Sequence, residues 1–583
     1  MSELKTTYEW KEIPWRKLER KIFKLQKRIY QASRRGEVTK VRKLQRLLMK
    51  SWAAKLLAVR RVTQENKGKK TAGIDGVKSL TPKQRLELTK ELRLTDKAKP
   101  TRRVWIDKPG REEKRPLGIP IMHDRAMQSL VKLALEPEWE ARFEPNSYGF
   151  RPGRSCHDAI TAIWYQINKM PKWVLDADIA KCFDRIDHTA LLRKINTSPS
   201  IRRQIRAWLK AGVMDGIKYF DTTEGTPQGG VISPLLANIA LHGLENRIQQ
   251  AFPGGFIKVN GKTTRISPPG VIRYADDFVV MHKDLNVIHK CKTIIAEWLK
   301  DMGLELKDSK TQITHTLEGG KEYNTGFDFL GFFIRQYPVG KHQTQSTGRG
   351  YSTLIKPSKK KVIEHAKELA KTVQSHKTAP QEALIKALNP LIRGWANYYR
   401  TGNSSETYST LDSLLYIKLK RWAERRHPNK NKGWCASRYW GINQGKGWEF
   451  SPKDSTIKLL KYRHTKVISP GTKDQYVKVK GESSPYDGDW AYWASRMGKH
   501  PELSPRVSKL LKQQKGKCSH CGLHFNPESL TEVHHKDKNH KNNKWENLEL
   551  IHLVCHDRIH GEQHYDAGTQ EQIWMNDISI SAT

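Results

Sequence analysis

Val271-Ile272-Arg273-Tyr274-Ala275-Asp276-Asp277-Phe278-Val279-Val280 sets two adjacent carboxylates between two apolar runs. Short apolar, β-branched runs on both sides of a polar pair read as a buried hairpin. An Asp-Asp pair by itself is usually a surface turn. Here the apolar flanks close in on both sides, and adjacent carboxylates in such a hairpin repel each other unless a cation is present. A second stretch, Val174-Leu175-Asp176-Ala177-Asp178-Ile179-Ala180-Lys181-Cys182-Phe183-Asp184, also carries aspartates at the end of an apolar strand. Carboxylates on two such rigid ends suit nucleotidyl transfer, which needs two Mg²⁺ ions about 4 Å apart. One would lower the pKa of a primer 3′-hydroxyl and the other would neutralise the leaving pyrophosphate.

Outward from these stretches, β-like runs at Arg103–Ile106, Val174–Ile179, Val271–Tyr274 and Phe278–Met281 alternate with helices and Gly/Pro turns, an α+β pattern. Upstream, residues 1–60 read as basic amphipathic helix. Ile22, Leu25, Ile29, Val41, Leu44, Leu47 and Leu48 recur at helical spacing, with Lys and Arg on the other faces. Such a face is either simply solvated or lies along a phosphate backbone. Downstream, residues 355–425 are helical and 428–490 are loop-rich, with many Lys, Gly, Ser, Asn and Trp. A Cys/His-rich module fills 515–565. The expected division is 1–100 (basic extension and start of the next unit), 101–345, 350–427, 428–505 and 506–570.

The 583 residues hold 105 Lys+Arg against 60 Asp+Glu, a net charge of +45. An excess this large calls for a polyanion, and nucleic acid is the usual one. Hydrophobic residues make up 37% of the chain, but 18 Trp, 19 Tyr and 14 Phe can both build cores and stack on bases. No apolar run reaches the length of a membrane span. The opening Met1–Trp15 has no apolar signal core and carries Glu3, Glu9 and Glu12, against a transit peptide. Of seven cysteines, four are scattered and three fall within the last 70 residues, which suits a reducing compartment with one local metal site rather than a disulfide framework.

Tyr274-Ala275-Asp276-Asp277 resembles the signature of reverse transcriptases, and Asp178-to-Phe183 their first palm motif. Gly225-Thr226-Pro227-Gln228-Gly229-Gly230-Val231-Ile232-Ser233-Pro234, Lys114-Arg115-Pro116-Leu117-Gly118-Ile119-Pro120 and Ser147-Tyr148-Gly149-Phe150-Arg151-Pro152-Gly153-Arg154-Ser155 resemble bacterial group II intron-encoded proteins, in the same order along the chain. The resemblance implies right-hand-like fingers and palm, an α-helical thumb (domain X), a DNA-binding region and a small ββα-metal module. It assigns two Mg²⁺ to Asp178, Asp276 and Asp277. It places Phe183 under the sugar, excluding a ribo 2′-hydroxyl. Gln228 and Gly229 would meet the incoming dNTP, and Lys108 and Arg115 would clamp its triphosphate. Lys310 would serve as an acid for pyrophosphate, unless it is merely an exposed helix-end lysine. Phe329-Leu330-Gly331-Phe332 resembles a primer-gripping hairpin. Asp176, Asp184 and Asp187 are expected to face solvent or make local hydrogen bonds.

Leu391-Ile392-Arg393-Gly394-Trp395-Ala396-Asn397-Tyr398-Tyr399-Arg400 matches the wording of domain X, which supports intron splicing in that family. Trp395 and Tyr399 suit helix-bundle core. Arg393, Arg400, Lys418, Lys420 and Arg421 are the candidate RNA contacts.

In the last module, Cys518-Ser519-His520-Cys521 and His552-Leu553-Val554-Cys555 offer a Cys₃His set for structural Zn²⁺. The family often has four cysteines here, so His552 is the departure. Glu532-Val533-His534-His535, Asn547, His556 and His560 resemble the HNH nuclease motif. His534, His556 and His560 would hold one divalent metal, Mg²⁺ by default. His535 would be the general base and Asn547 would orient its loop. A purely structural zinc knuckle is the competing reading, but it needs only four ligands.

The implied protein is an RNA-directed DNA polymerase that binds its intron RNA as a ribonucleoprotein and assists splicing. It would nick double-stranded target DNA and prime synthesis from the exposed end, and would work in the bacterial cytoplasm, at the nucleoid when acting on DNA. Two alternatives are an RNA-binding splicing scaffold with an idle polymerase and a retron- or defence-type reverse transcriptase.

Overall fold

Strand Trp173–Asp178 lies at the centre of a five-stranded sheet. The computed structural model describes residues 9–107, 114–259, 262–339, 349–442, 448–453, 455–472 and 474–560. The strand order is Asn324–Thr325, Gln312–His315, Trp173–Asp178, Asp277–His282, Gly270–Tyr274. The last two strands form the hairpin that the sequence foreshadows, with Tyr274 opposite Asp277. Register across the sheet sets Asp178 opposite Asp277.

The apolar runs of these strands serve two cores. Leu175, Ala177, Val271, Phe278 and Val280 face one, and Val174, Ile272, Val279 and Met281 face the other. A sheet covered on both sides needs near-continuous apolar strands, as these are. The first core includes helices Trp15–Arg34, Val38–Lys50, Trp52–Arg60 and Met122–Glu140. Ile22, Ile29, Val41, Leu44 and Leu48 are buried there, whereas Leu47, expected on the same stripe, is 53% exposed. Leu48 occupies the core position and turns its neighbour, about 100° round the helix, to the surface. The basic N-terminal stretch is thus three packed helices: the first two bury one face each, and Trp52–Arg60 is buried almost all round.

A smaller sheet carries strands in the order Lys114–Ile119, Thr101–Asp107, Val213–Asp215, Lys218–Phe220. A third pairs Phe327–Phe329, Phe332–Pro338 and Tyr351–Pro357, and its tight turn at Leu330-Gly331 takes positive φ at both residues. That is the turn geometry whose twist matches paired strands.

Helices Lys359–Ser375, Gln381–Tyr399 and Ser405–Arg426 close over the second core. Tyr399 is buried there, and the Trp395 ring stacks on His365 at 5.1 Å. The loop-rich stretch that follows is pinned to the body of the protein. Asp158, fully buried, accepts from Val479 N at 2.6 Å and from Arg496 Nη2 at 2.5 Å. The last cluster of apolar side chains draws Ala491 and Ala494 together with Leu510, Leu511, Leu550 and Ile551. The module's core therefore reaches upstream of residue 506. Strands Thr531–His535 and Leu548–His552 form its antiparallel hairpin, and helix Leu553–His560 follows directly. Among the described residues no helix is long and apolar enough to cross a membrane.

Candidate functional site

Asp178 closes the central strand, and Asp276 and Asp277 occupy the adjoining hairpin turn and the first position of the next strand. Ala275, just before them, has φ 58°. That conformation is costly for a residue with a Cβ and persists only where surroundings hold it. Gly149 is one such neighbour: a Cβ there would lie 2.4 Å from Ala275 N, so only glycine lets the two segments approach this closely. Burial, with Asp178 beside it, holds the Asp276 carboxyl above the usual carboxylate range. Burial and then the Asp276 and Asp178 charges push Asp277 up to about 7. Lys310 Nζ is seated on Asp178 Oδ2, forming an ion pair. Crowded, half-desolvated carboxylates of this kind are a donor set that a divalent cation would relieve.

The three aspartates line a cleft of about 960 Å³ together with Arg115, Phe183, Asp184, Gln228 and Lys310. Phe183 packs edge-on against Phe150, with ring centroids 6.1 Å apart. Gln228 Nε2 donates to both oxygens of Asp184, each at 3.1 Å. Gly229 takes φ 123°, and a Cβ there would meet Gly118 O at 2.8 Å. The close approach this glycine permits is therefore to the strand that carries Arg115. Lys108 lies outside the described residues.

Of the neighbouring acids, Asp187 caps its helix by accepting from Ala190 N at 2.6 Å. Asp176 is substantially buried: desolvation raises its pKa to about 7, and Gln312 Nε2 lies 3.5 Å away. The Asp184–Gln228 contact is the feature that sequence reading missed. Only the shared cleft, not spacing along the chain, reveals it.

Two groups of His and Cys among the described residues bring all their ligand atoms within 4.8 Å of one another: Cys518, Cys521, His552 and Cys555, and separately His534, His556 and His560. Asp178, Asp276 and Asp277 do not close up to that degree. In the first group Cys521 Sγ and His552 Nδ1 are 3.4 Å apart. Tetrahedral zinc bonds of about 2.0–2.3 Å place donor atoms roughly 3.5 Å from each other, so the set fits that ion. Burial raises the Cys518 thiol, but backbone donors at Cys521, His552 and His520 outweigh it and lower its pKa. Burial and the adjacent Cys521 and Cys518 push Cys555 up to about 11, the crowding that a bound cation relieves.

In the second group His560 Nε2 and His534 Nδ1 lie 3.4 Å apart, and the His556 and His560 rings are 4.5 Å apart. Both ring nitrogens of His535 are buried without a hydrogen-bond partner among the described residues. Asn547 laces the loop after His535. Its Nδ2 donates to Asp537 Oδ1 and to Asn542 O, both at 2.8 Å, and its Oδ1 accepts from Asp537 N at 3.1 Å.

The candidate RNA contacts divide. Arg393, Lys420 and Arg421 are exposed, and Lys418 and Arg400 are half-buried. Lys418 and Arg421 line a basic cavity of about 820 Å³ with Lys371, Lys377, Arg425 and Arg426.

Residues 106–334 match the family model described as "Reverse transcriptase (RNA-dependent DNA polymerase)". Residues 10–92 match "N-terminal domain of reverse transcriptase", and 362–440 match "Group II intron, maturase-specific domain". The chain is 33% identical to Protein YkfC of Escherichia coli (strain K12) over 50% of this chain and 82% of that protein. It is 35% identical to group II intron-encoded protein LtrA of Lactococcus lactis subsp. cremoris over 42% of this chain and 41% of that protein. It is 40% identical to an uncharacterized 91 kDa protein in the cob intron of Schizosaccharomyces pombe, over 55% of this chain and 45% of that protein. The matches thus span under half the length of these last two relatives.

Proposed function

As the chain belongs to the group II intron reverse transcriptase and maturase family, we propose that it copies RNA into DNA, assists the splicing of an intron RNA, and nicks target DNA to prime that synthesis. The observation that carries this reading is the convergence of Asp178, Asp276, Asp277, Phe183 and Gln228 on one cleft. In this reading the sheets carrying them are the palm and fingers, and helices Lys359–Ser375, Gln381–Tyr399 and Ser405–Arg426 are the thumb.

Asp178, Asp276 and Asp277 would hold two Mg²⁺. Bound there, these ions would lower the pKa of the primer 3′-hydroxyl and neutralise the leaving pyrophosphate. Arg115, with Lys108, grips the triphosphate. Phe183 lies under the sugar, Gln228 and Gly229 form the adjoining wall, and Lys310 is poised to donate a proton to the pyrophosphate. Target DNA and dNTPs are the substrates. Intron RNA is held by the basic surface, with Arg393, Arg400, Lys418, Lys420 and Arg421 contributing. Contacts of this kind weaken steeply with salt.

In the last module, Cys518, Cys521, His552 and Cys555 would hold structural Zn²⁺. His534, His556 and His560 would hold one divalent metal, in an HNH-type nuclease. The unpartnered His535 ring can accept a proton from water attacking a phosphodiester, with Asn547 fixing the loop behind it. The test pairs two assays on one preparation: dNTP incorporation on primed RNA, and nicking of double-stranded DNA by the parent and by His535→Ala. Nicking by the parent and not by the variant supports the nuclease. Intron-RNA binding without incorporation would favour the splicing scaffold.

A further inference from the structure

We propose that the Cys/His module and the polymerase are locked together as one body, with helix Trp490–Met497 as the shared strut and Gly153–Asp158 as its socket. The lock stands on contacts between the two parts. Its use rests on the activities proposed above: it fixes the separation between the DNA nick and the polymerase cleft.

Parts of a chain joined by a loop-rich connection ordinarily move relative to each other, unless the interface between them is extensive and apolar. Here two cores share one helix. Trp493 is fully buried in the core that the thumb helices close over. Ala491 and Ala494, on the same helix, are buried in the core of the Cys/His module. These two alanines are three apart and share a side of the helix, while Trp493 lies about 100° round from Ala494. The helix therefore turns one side to each core. Asp489 caps it by accepting from Tyr492 N at 3.0 Å, and Trp493 Nε1 donates to both oxygens of Asp487 at 3.3 Å.

The socket ends the Ser147–Ser155 stretch. Phe150 of that stretch lines the cleft, whereas Gly153, Arg154 and Ser155 meet the strut and the chain leading into it. Gly153 takes φ 72°, and a Cβ there would lie 2.3 Å from Trp493 Cζ3. Only glycine lets the indole seat this closely. Arg154 Nη2 donates to Gly481 O at 2.6 Å and to Ser483 O at 3.2 Å. Asp158 divides its two oxygens. Oδ2 accepts from Ser155 N at 2.8 Å and Ser155 Oγ at 2.9 Å, a capping box for its own helix. Oδ1 accepts from Val479 N and from Arg496 Nη2. Arg496 uses all three nitrogens: Nε donates to Gly153 O at 3.3 Å, Nη1 to Val477 O at 2.8 Å and Nη2 also to Tyr476 Oη at 2.8 Å. A planar fork engaged at every nitrogen sets the orientation of the strut as well as its place. On the other side, Tyr486 Oη donates to Glu136 Oε2 at 3.1 Å, and Lys27 Nζ donates to both oxygens of Glu502 at 2.9 Å. The connection is thus held between the socket and the N-terminal helices.

The experiment is single-molecule energy transfer between fluorophores at Tyr165 and Leu530, exposed positions on the polymerase and on the module. Both are attached through unnatural residues in the full-length chain, so every cysteine stays in place. The proteins are the parent, Arg496→Met and Gly153→Val. The parent should give one narrow peak of transfer efficiency. Arg496→Met leaves the buried Asp158 without its charged partner, and Gly153→Val drives a side chain into Trp493. Each should broaden the peak to at least about twice the parent width, because the module is then held mainly by its chain connection. Circular dichroism and zinc content should match the parent, which separates release of the module from unfolding. A broad or multiple peak in the parent overturns the lock. So does a peak that stays narrow in the folded variants, and if Gly153→Val fails to fold, Arg496→Met alone decides. A parent with a narrow peak that neither extends primers nor nicks DNA overturns the proposed activities and supports the lock.

Discussion

Arg273 Nη1 donates to the carbonyl oxygen of Ala275, 3.1 Å away and two residues further along the same hairpin. The same nitrogen reaches Asn238 Oδ1 at 3.2 Å, and Nη2 reaches Ser147 Oγ at 2.8 Å. The guanidinium is wholly buried behind the turn. Burial lowers its pKa, and the charge of Glu144 opposes that shift. Arg273 therefore clamps the left-handed residue that aims Asp276 and Asp277 into the cleft. Arg273→Met should destabilise the fold by about 3–5 kcal/mol, as breaking a buried charge network does, and should abolish primer extension. Denaturant unfolding and extension assays on the same preparation check both effects.

Gly149 contacts the same turn from the opposite side. Gly149→Ala forces Ala275 away from its position. The expected result is at least a tenfold loss of extension rate, because small misplacements of reacting groups are costly. The circular dichroism spectrum should stay that of the parent, which separates displacement of the turn from unfolding.

The turn also shows how far the sequence could be read. The hairpin, its strands and the three aspartates were legible because apolar runs of period and length suited to strands flank the carboxylates. The Cys518/Cys521 and His552/Cys555 pairs were legible from spacing, and the fold brings all four together. The clamp by Arg273 was not legible, because its partners Ser147 and Asn238 are far away in sequence. The N-terminal stretch read as basic helix, yet its division into three helices and the exposure of Leu47 follow from how it packs on Met122–Glu140. Nothing in the composition of the loop-rich stretch around 477–496 indicated that Asp158 anchors it.

Glu245 gives a pH signature. Burial, then the neighbouring Glu144 charge, raises its pKa from 4.5 to about 7, against hydrogen bonds from Asn146. The folded state thus keeps a proton that the unfolded state releases near pH 4.5. Its contribution to stability is complete below that pH and is lost as pH rises through about 7. Glu245→Gln should flatten this decline. The gap between melting temperatures at pH 5 and pH 8 should be smaller in the variant than in the parent, with other titrating groups common to both.

The Cys₃His cluster should be separable from the polymerase. Cys521→Ser is expected to lose about one equivalent of zinc by metal analysis and to abolish DNA nicking, because structural zinc supplies folding energy to small modules. Extension on primed RNA should stay within about twofold of the parent, because the cysteine cluster and the polymerase cleft share no residue and Cys518 and Cys555 belong to a separate hydrophobic cluster.

The most direct test of the account is dNTP incorporation on a primed RNA template by the purified parent and by an Asp276→Ala/Asp277→Ala variant, each with Mg²⁺. The account predicts template-dependent extension by the parent and none by the variant, with both proteins equally folded and RNA-bound. Extension that survives in the variant, or is absent from a folded, RNA-bound parent, would contradict it.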